Sequence, residues 1–494
     1  MLSAIEQKRL EISRGTEANR KSQLGQFLTP ARTAAFMAGL FPDNIGTCRL
    51  LDAGAGIGSL SAAFLDRCRA GELNFQRVEL DAFEIDTALH VHLSQILDEY
   101  SHLGEFFANI HSEDFIHAAA EFLSGSLYSK IANSYTHAIL NPPYKKINSD
   151  SAHRSSLRRV GIETVNLYSA FVALAVALSA PAGQIVAIIP RSFCNGPYYR
   201  PFRDFVLDRV ALHHMHLFKS RNKAFKDDEV LQENVVIRLE RGGQQGAVIV
   251  SSSTDDTFTD LVTHEHPFER IVFPNDHERF IHAPASPERN KIELSPAIKY
   301  SLTDLNLCVS TGPVVDFRLK EHLRGMPGPG TVPLLYPAHF SNNCATWPIE
   351  GLKKPNAIER NADTEKWFYP NGYYCVVRRF SSKEEKRRIV ASVVEPGMFG
   401  DVPVLGFENH LNLFHENKRG LPKALAHGLA AFLNTVAVDE NFRSINGHTQ
   451  VNATDLKQIK YPSRAALVEL GEWAMRQEDI TESLIDAKLG NLTE

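Results

Sequence analysis

The sequence predicts an α/β protein with a mostly parallel sheet, followed by a second domain of mixed strands and helices. Over the first 240 residues, short apolar runs alternate with helical patterns, as in sheets whose two faces are covered by helices. The composition, 43% hydrophobic and 22% charged, is close to the globular average. A chain of 494 residues is long enough for about two to four domains.

Seven segments are predicted as strands, because each is a short, bulky apolar run bounded by turn residues. Cys48–Ala53 leads into a glycine-rich turn and a predicted helix over Ser59–Cys68. A second, strongly apolar helix is predicted over Asn166–Leu178. The other predicted strands are Val78–Ile85, Phe107–Ile110, His137–Leu140, Ile185–Ile189, Leu212–Phe218 and Val235–Leu239.

The character of the chain changes near Arg241-Gly242-Gly243, where the alternating pattern stops. A polar stretch without a clear period follows, and aromatic and basic clusters appear after residue 340. We therefore predict a first domain at 1–245, a connecting segment at 246–300 and a second domain at 301–494.

Charge and hydropathy limit the classes of protein to which the chain could belong. The formal net charge is −5, so any nucleic-acid contact requires a local cluster of positive charge. The longest apolar run, Ala170–Leu178, has nine residues, against roughly 20 for a membrane span. The N-terminus lacks a signal-peptide pattern and the six cysteines form no CxxC motif. A cytoplasmic protein with reduced thiols, without membrane contact, is expected.

Glycines and acidic residues at strand ends predict a nucleotide-like ligand site. Gly54 and Gly56 would let a ligand approach the main chain closely, although this spacing alone is equally typical of a tight turn. Glu84 could accept both hydroxyls of a ribose, and Asp114 could accept a hydrogen bond from an adenine amine. Either acid could instead be a solvated strand-end residue. The competitors for the role of Glu84 are Asp81 and Asp86.

The segment Asn141-Pro142-Pro143-Tyr144 follows the fourth predicted strand, at the sheet edge where such folds bind ligands. The Asn141 side-chain oxygen and the Pro142 carbonyl can accept both hydrogens of a planar exocyclic amine, which stabilises the positive charge that develops during alkylation. Tyr144 offers a face on which a base could stack. The chemistry requires no metal. In isolation, the same four residues could also form a rigid turn.

Along residues 23–240 the motifs resemble, in their order, the class I, gamma-type DNA adenine-N6 methyltransferases of type II restriction–modification systems. Gln23–Pro30 is similar to the family's donor-binding segment, Leu51–Gly58 to its glycine motif and Asn141–Tyr144 to its catalytic motif. The other matching segments are Phe83–Asp86, Glu113–Phe115, Asn166–Phe171 and Gly183–Pro190. They cover about half the chain and are specific only jointly.

This resemblance implies a Rossmann-like sheet of seven mostly parallel strands with a C-terminal α+β target-recognition domain. It also implies S-adenosylmethionine as methyl donor and a target adenine flipped out of double-stranded DNA, because the amine cannot reach the donor within the duplex. Phe225 fits the position of a second aromatic ring against that base. The residues implied to contact the donor are Thr29, Pro30, Asp52, Gly54, Gly56, Glu84, Asp114 and Asn141.

Three segments of the second domain are candidates for DNA contact. Arg378–Arg388 holds six basic and two acidic residues and follows the aromatic stretch Trp367–Tyr374; it suits phosphate contact or, equally, a solvated helix face. Glu408–Asn412 and Ser444–Asp455 are polar clusters that could read base edges. A shorter basic cluster in the first domain could contact the DNA backbone, at Lys145, Lys146, Arg154, Arg158 and Arg159.

The function that the sequence supports best is sequence-specific adenine-N6 methylation of DNA, which would protect the host against a cognate restriction endonuclease. That endonuclease is a possible partner implied only by the resemblance. Two alternatives stay open. One is N-methylation of a protein glutamine or an RNA base, because the same acceptor geometry serves any planar amide or aromatic amine. The other is a non-catalytic DNA-specificity subunit that retains the fold.

Overall fold

The computed structural model describes residues 2–15, 28–126, 131, 134–219, 233–274, 276–284, 295–341, 344–381, 385–445, 450–477 and 481–493. The chain divides into two compact units, Met1–Pro287 and Glu288–Glu494. The first unit therefore includes most of the segment predicted as a connection, 246–300. No helix in the described ranges is long and apolar enough to cross a membrane.

The first unit is built on a single large sheet. Its strands are β1 Ile45–Ala53, β2 Asn74–Phe83, β3 Glu105–His111, β4 Tyr135–Leu140, β5 Ser179–Pro190, β6 Val210–Phe218, β7 Asn234–Arg241, β8 Val248–Ser253 and β9 Val262–His266. In the described chain they lie in the order β3-β2-β1-β4-β5-β7-β6-β8-β9. The first five positions are mutually parallel and β7 is antiparallel to both neighbours. The prediction of a mostly parallel α/β sheet is confirmed.

Helices cover both faces of this sheet because its strands are apolar on both sides. Along β1, Leu51 and Ala53 pack into one hydrophobic cluster, whereas Cys48 and Leu50 pack into another, as the alternation of side chains along a strand requires. The helices are α1 Leu2–Gly15, α2 Ala31–Gly39, α3 Ser59–Arg69, α4 Thr87–Asp98, α5 Phe115–Leu123, α6 Ala152–Arg159, α7 Leu167–Leu178, α8 Arg200–Leu207 and α9 Phe268–Ile271.

The sheet has nine strands among the described residues, not the seven that were predicted. The two additional strands, β8 and β9, come from the stretch that was taken as a polar connection. Ser251 and Ser253 in β8 are buried, and their hydroxyls lie 2.9 and 3.2 Å from the two ring nitrogens of His216. Val248 and Val250 of β8 are buried in the hydrophobic core, but its other two buried residues are serines that bind a histidine of β6, so the hydrophobic signal of the strand is weak.

The second unit contains strands first and helices afterwards. Its strands are β10 Cys308–Thr311, β11 Leu323–Arg324, β12 Thr331–Leu335, β13 Phe340–Ser341, β14 Cys344–Ala345, β15 Ala357–Glu359, β16 Tyr369–Pro370, β17 Tyr374–Arg378, β18 Ala391–Val394, β19 Val404–Phe407 and β20 Leu411–His415. They form a six-stranded sheet, β10-β20-β17-β18-β14-β13, and a five-stranded sheet, β11-β15-β12-β19-β16, in the part described. The helices are α10 Lys423–Leu433, α11 Val436–Ile445, α12 Ala453–Gln458, α13 Arg464–Ala474 and α14 Glu482–Thr493.

Candidate active site

The register of the sheet brings three of the predicted site residues to one edge. Ala53, the last residue of β1, pairs with Phe83 of β2 on one side and with Leu140 of β4 on the other. The next residue along each strand is Gly54, Glu84 or Asn141. Since the three strands are parallel, these residues leave the sheet at the same height and on the same edge, where open α/β sheets bind ligands.

A cavity of about 210 Å³ opens at this edge. Its polar wall includes Thr29, Glu84, Asp114 and Asn141, and its apolar wall is formed by side chains such as Phe115. The residues that line it also include Leu28, Gly54, Gly56, Ile57, Ile85, Ile116, Pro143, Lys145, His153 and Phe171. The cavity therefore combines carboxylates and amides with apolar surfaces, as small-molecule sites do.

Gly54 and Gly56 let the main chain turn and close over this cavity. Both have positive φ, +80° and +58°, which side chains with a Cβ rarely adopt. A Cβ on Gly54 would lie 3.6 Å from the Asn141 carbonyl oxygen, so the glycine turn and the Asn-Pro-Pro-Tyr segment touch through their backbones. A Cβ on Gly56 would lie 2.9 Å from Leu28.

Glu84 is the acidic residue of the second strand end that lines the cavity. Its Oε2 accepts a hydrogen bond from the Gly56 N–H at 2.8 Å and its Oε1 from the Asp86 N–H at 2.7 Å. These bonds fix the orientation of the carboxylate, while burial raises its pKa. The two competitors have other roles: Asp86 caps α4 through the Ala88 N–H, and Asp81 bonds His111.

Asp114 joins two helices at the far end of the cavity. Its Oδ1 accepts from the Ile116 and His117 N–H groups at the start of α5, and its Oδ2 lies 2.9 Å from Nε2 of His153 in α6. Burial alone would raise the pKa of Asp114, but the hydrogen bond and charge of His153 lower it below its ordinary value. In turn the bond to Asp114 raises the pKa of His153. His153 lines the cavity and was not predicted from the sequence.

One group in the described part of the chain has the residue types and spacing of metal ligands: Asp114, His117 and His153, whose ligand atoms lie within 4.8 Å of one another. Hydrogen bonds account for this cluster, because His153 binds Asp114 and His117 Nδ1 lies 3.0 Å from the Ser156 hydroxyl. The predicted chemistry at Asn141 requires no metal.

The Asn141 side chain is 8% exposed and is held from two sides. Its Nδ2 donates to the Thr29 hydroxyl at 2.9 Å, and its Oδ1 accepts from the Tyr144 hydroxyl at 3.3 Å. The Tyr144 hydroxyl also lies 3.4 Å from the Ile188 carbonyl oxygen. Burial raises the pKa of Tyr144 above its ordinary value, so the phenol stays protonated and can donate.

Some predicted residues do not line the cavity. Asp52 is fully buried and its Oδ2 accepts from the Ser61 hydroxyl at 2.5 Å. This bond joins the end of β1 to α3 on either side of the glycine turn. Burial raises its pKa to about 7. Pro30 is the N-cap residue of α2, directly after Thr29. Phe225 and residues 23–27 of the predicted donor-binding segment lie outside the described residues.

The short basic cluster is only partly available for DNA. Arg154 is 12% exposed; it pairs with Glu163 and donates to the Thr164 carbonyl at 2.5 Å. Arg158 is 57% exposed and also bonds Glu163. Of these two arginines of α6, Arg154 is therefore held by the loop that follows the helix, whereas Arg158 remains at the surface.

In the second unit, several residues predicted to face DNA are buried instead. Tyr369 and Tyr374 are core residues, as is Arg388, which donates to the Ser381 hydroxyl. Residues 385–388 are not helical, so the alternative of a solvated helix face is wrong there. Asn412 is fully buried and bonds the Val451 carbonyl and the Thr311 hydroxyl.

Two known proteins are similar in sequence to this chain over all or nearly all of its length. The family model described as Eco57I restriction-modification methylase matches residues 70–225. The type II methyltransferase M.BsuBI of Bacillus subtilis is 53% identical over 496 residues, which cover 100% of this chain and 98% of M.BsuBI. The type II methyltransferase M.PstI of Providencia stuartii is 43% identical, over 94% of this chain and 93% of its own length.

Solved structures share the fold at low sequence identity. The type IIL restriction-modification enzyme MmeI, solved in complex with DNA, has a TM-score of 0.52 at 10% identity, covering 98% of this chain and 73% of MmeI. The DrdV–DNA complex has a TM-score of 0.51 at 13% identity, covering 96% of this chain and 59% of DrdV. Since the sequence identity to M.BsuBI is high and extends over the full length, the chain belongs to the type II methyltransferases of restriction–modification systems.

Proposed function

We propose that this protein transfers a methyl group from S-adenosylmethionine to the N6 amine of an adenine that is flipped out of double-stranded DNA. The observation that carries the proposal is the position of Asn141. Asn141 follows the end of β4, its backbone lies close to Gly54, and it lines a cavity that is also lined by Glu84 and Asp114.

The cavity suits a donor that carries a ribose, an adenine and a sulfonium group. Glu84 is oriented by two backbone N–H groups and would accept hydrogen bonds from ribose hydroxyls. Asp114 would accept one from the adenine amine, and Ile85, Phe115 and Ile116 would contact the faces of the ring. When bound, the donor supplies an electrophilic methyl carbon; the protein has to place an amine in line with it.

The acceptor side is formed by Asn141, Pro142 and Tyr144. The lone pair of an aromatic amine is delocalised into the ring, so the amine is a weak nucleophile. Hydrogen bonds from its two hydrogens to Asn141 Oδ1 and the Pro142 carbonyl favour a more tetrahedral nitrogen and stabilise the charge that grows on it. Proline fixes φ at this point, and the Tyr144 ring supplies a stacking face.

Two further features are part of the proposal, and one alternative is less favoured. Phe225 would stack on the opposite face of the flipped base. A restriction endonuclease that cuts the same DNA sequence would be the partner in the cell. Methylation of a protein glutamine or an RNA base is less favoured, because the full-length relatives are named as type II methyltransferases.

The proposal is tested by expressing the protein in a host that lacks DNA methylation and mapping modified bases by single-molecule sequencing. We expect N6-methyladenine at one short sequence throughout the genome. Asn141→Ala should remove the modification while leaving the affinity for sinefungin, a non-reactive donor analogue, within a few-fold of wild type, because the glycine turn and Glu84 remain.

Asn148→Ala is the matched control, because Asn148 is an exposed asparagine in the same loop and does not line the cavity. It should methylate like wild type. Modification of cytosine instead of adenine, or normal methylation by Asn141→Ala, would contradict the proposed reaction.

A further inference from the structure

Three separate segments of the second unit meet at one place on its surface. The Arg379 N–H donates to the His410 carbonyl at 2.8 Å, and the Arg379 guanidinium donates to the Asn409 carbonyl and to Oε1 of Gln450, both at 3.2 Å. Phe380 pairs with Gln450 in an isolated β-bridge. We call these five residues, Arg379, Phe380, Asn409, His410 and Gln450, the Phe380–His410 surface.

Two rings stand out from this surface. Phe380 is 41% exposed, and its ring centroid lies 4.9 Å from that of His410, whose side chain is also 41% exposed. A single exposed apolar side chain is common in soluble proteins, so the distinguishing feature here is the pairing of the Phe380 ring with the His410 ring beside a guanidinium. The Arg379 guanidinium, 5.9 Å from the Phe380 ring centroid, adds positive charge next to the two rings.

The orientation of the His410 imidazole is fixed by the buried carboxylate of Glu408. Glu408 has a fully buried side chain; its Oε1 lies 2.5 Å from His410 Nδ1 and its Oε2 accepts from the His410 N–H at 2.9 Å. Burying a carboxylate is costly unless it is hydrogen-bonded, so the two hydrogen bonds to His410 stabilise Glu408 in its buried position. Because Nδ1 donates to Glu408, the neutral ring has its acceptor lone pair on Nε2, the other nitrogen.

We infer that the Phe380–His410 surface reads base edges of the target DNA, with His410 Nε2 as the contact that discriminates between bases. The inference rests on the proposed function, since it assumes that the substrate is double-stranded DNA. A ring that is fixed by Glu408 and partly exposed suits base readout, whereas phosphate contacts fix the register of a protein on DNA without carrying sequence information. Glu408 acts as a positioning residue, because it sets which nitrogen of His410 can accept.

The chemistry of the contact identifies the bases it would prefer. An acceptor pairs with the amino group of adenine or cytosine, which both bases present in the major groove. Arg379 is already hydrogen-bonded within the protein and would add charge near the backbone. Phe380 would contact an apolar edge, such as a thymine methyl group, next to the base pair that His410 reads.

The experiment uses the full-length protein and the DNA sequence found by methylation mapping. Duplexes that each carry one substituted base pair are compared with the unsubstituted duplex by equilibrium binding, in the presence of sinefungin. His410→Ala should reduce discrimination at one base pair by about fivefold or more and leave it unchanged elsewhere. The affinity for unrelated DNA and its dependence on salt should be unchanged, as expected for a base contact.

His427→Ala is the matched control, because His427 also faces a glutamate, Glu395 at 3.5 Å, in the same unit. It should leave discrimination unchanged at every position. Glu408→Gln should affect the same base pair as His410→Ala, and should have no further effect when combined with it. Phe380→Leu should weaken discrimination at the neighbouring pair, without the folding risk of a buried substitution.

Two results would overturn the inference. If His410→Ala weakens binding equally to all duplexes and reduces the salt slope, the surface contacts phosphates. If it changes no DNA affinity at all, the surface serves something other than DNA. Because discrimination is scored by binding, this outcome is separate from the proposed reaction, which stands or falls on the base that is methylated in the mapped genome.

Discussion

Tyr144 illustrates, at the scale of a single residue, how a ring and its hydroxyl can have separate roles. The hydroxyl lies 3.3 Å from Asn141 Oδ1 and 3.4 Å from the Ile188 carbonyl, both long for O–H···O hydrogen bonds. We therefore expect Tyr144→Phe to retain most of the kcat/KM for DNA. Tyr144→Ala removes the stacking face, worth about 1–3 kcal/mol per base, and should lower kcat/KM by on the order of ten- to a hundredfold.

The comparison is made by steady-state methylation assays on one duplex, with donor affinity measured in parallel as a control for folding. Equal losses in the two variants would mean that the hydroxyl, and not the ring face, is the functional part of Tyr144.

Asp52 predicts a pH dependence of stability. Burial raises its pKa from 3.8 to about 7, so the folded state binds the proton more tightly than the unfolded chain. The stability from this group is fully present below about pH 4 and is lost as the pH rises through about 7. Asp52→Asn should remove this contribution, on the order of a few kcal/mol. Urea unfolding between pH 4 and pH 8 should therefore show a flatter profile for the variant; parallel profiles would contradict it.

Six of the eight residues predicted to contact the donor line the cavity, whereas His153, which also lines it, was not predicted. Gly54, Glu84, Asp114 and Asn141 could be predicted because each directly follows a strand or opens a helix, and the ends of parallel strands meet at one edge. His153 contacts Asp114 across 39 residues of chain. Nothing in its own segment distinguishes it from a surface histidine on a basic helix.

At the scale of an element, the pair of His153 and Asp114 joins α6 to the cavity that we propose for the donor. The bond to Asp114 raises the pKa of His153. The stabilisation that protonated His153 gives to this contact is therefore complete below about pH 6.5 and is lost as the pH rises through the raised pKa. The pKa of Asp114 is lowered, so its contribution is lost only when the pH falls through that lowered value. The contact is strongest between the two.

We therefore expect the affinity for sinefungin to weaken at alkaline pH, and His153→Gln to abolish that pH dependence while lowering affinity a few-fold at pH 6.5. Titration calorimetry from pH 6 to pH 9 measures both. Identical pH profiles for wild type and variant would show that α6 does not influence the donor cavity through this bond.

Strands could be predicted where their burial is apolar and not where it is polar. Four of the five parallel strands contain buried apolar segments, whereas β3 is mostly exposed. The predicted segments overlap all five strands, although β5 begins at Ser179, before its predicted start at Ile185. β8 was not predicted, because two of its four buried positions, Ser251 and Ser253, are serines that bind histidines of β6 and only Val248 and Val250 are apolar. Hydrophobic periodicity detects only the apolar kind of interior.

At the scale of the whole molecule, each unit has hydrophobic clusters of its own. The clusters of the first unit lie between Ile5 and Ala283 and those of the second between Ile298 and Leu489. Independent cores predict independent unfolding. Scanning calorimetry of the full chain should therefore resolve two transitions, and saturating sinefungin should raise the midpoint of only one, since a ligand stabilises only what it binds.

A single transition that moves as a whole would contradict this prediction. Asn141→Ala changes one residue of the cavity and should bind sinefungin within a few-fold of wild type, so saturating sinefungin should raise the same transition in this variant.

The second unit shows the limit of composition as a guide to function. The charge of the run from Arg378 to Arg388 suited phosphate contact or, equally, a solvated helix face, yet Arg388 is buried and Arg378 pairs with Glu385. Arg379 and Phe380 differ from the buried residues of this run in the exposed fraction of their side chains. That fraction depends on pairing with strands far along the chain.

The bond from Asn141 Nδ2 to the Thr29 hydroxyl has a bearing on how inactive copies of such proteins are recognised. The amide of Asn141 can present its oxygen to an incoming amine only while its nitrogen has another hydrogen-bond acceptor. That acceptor is the hydroxyl of Thr29, 112 residues upstream. A homologue could keep all four letters of the Asn-Pro-Pro-Tyr signature and still be inert after losing that distant hydroxyl. Surveys that count functional genes by the signature alone would then overestimate them.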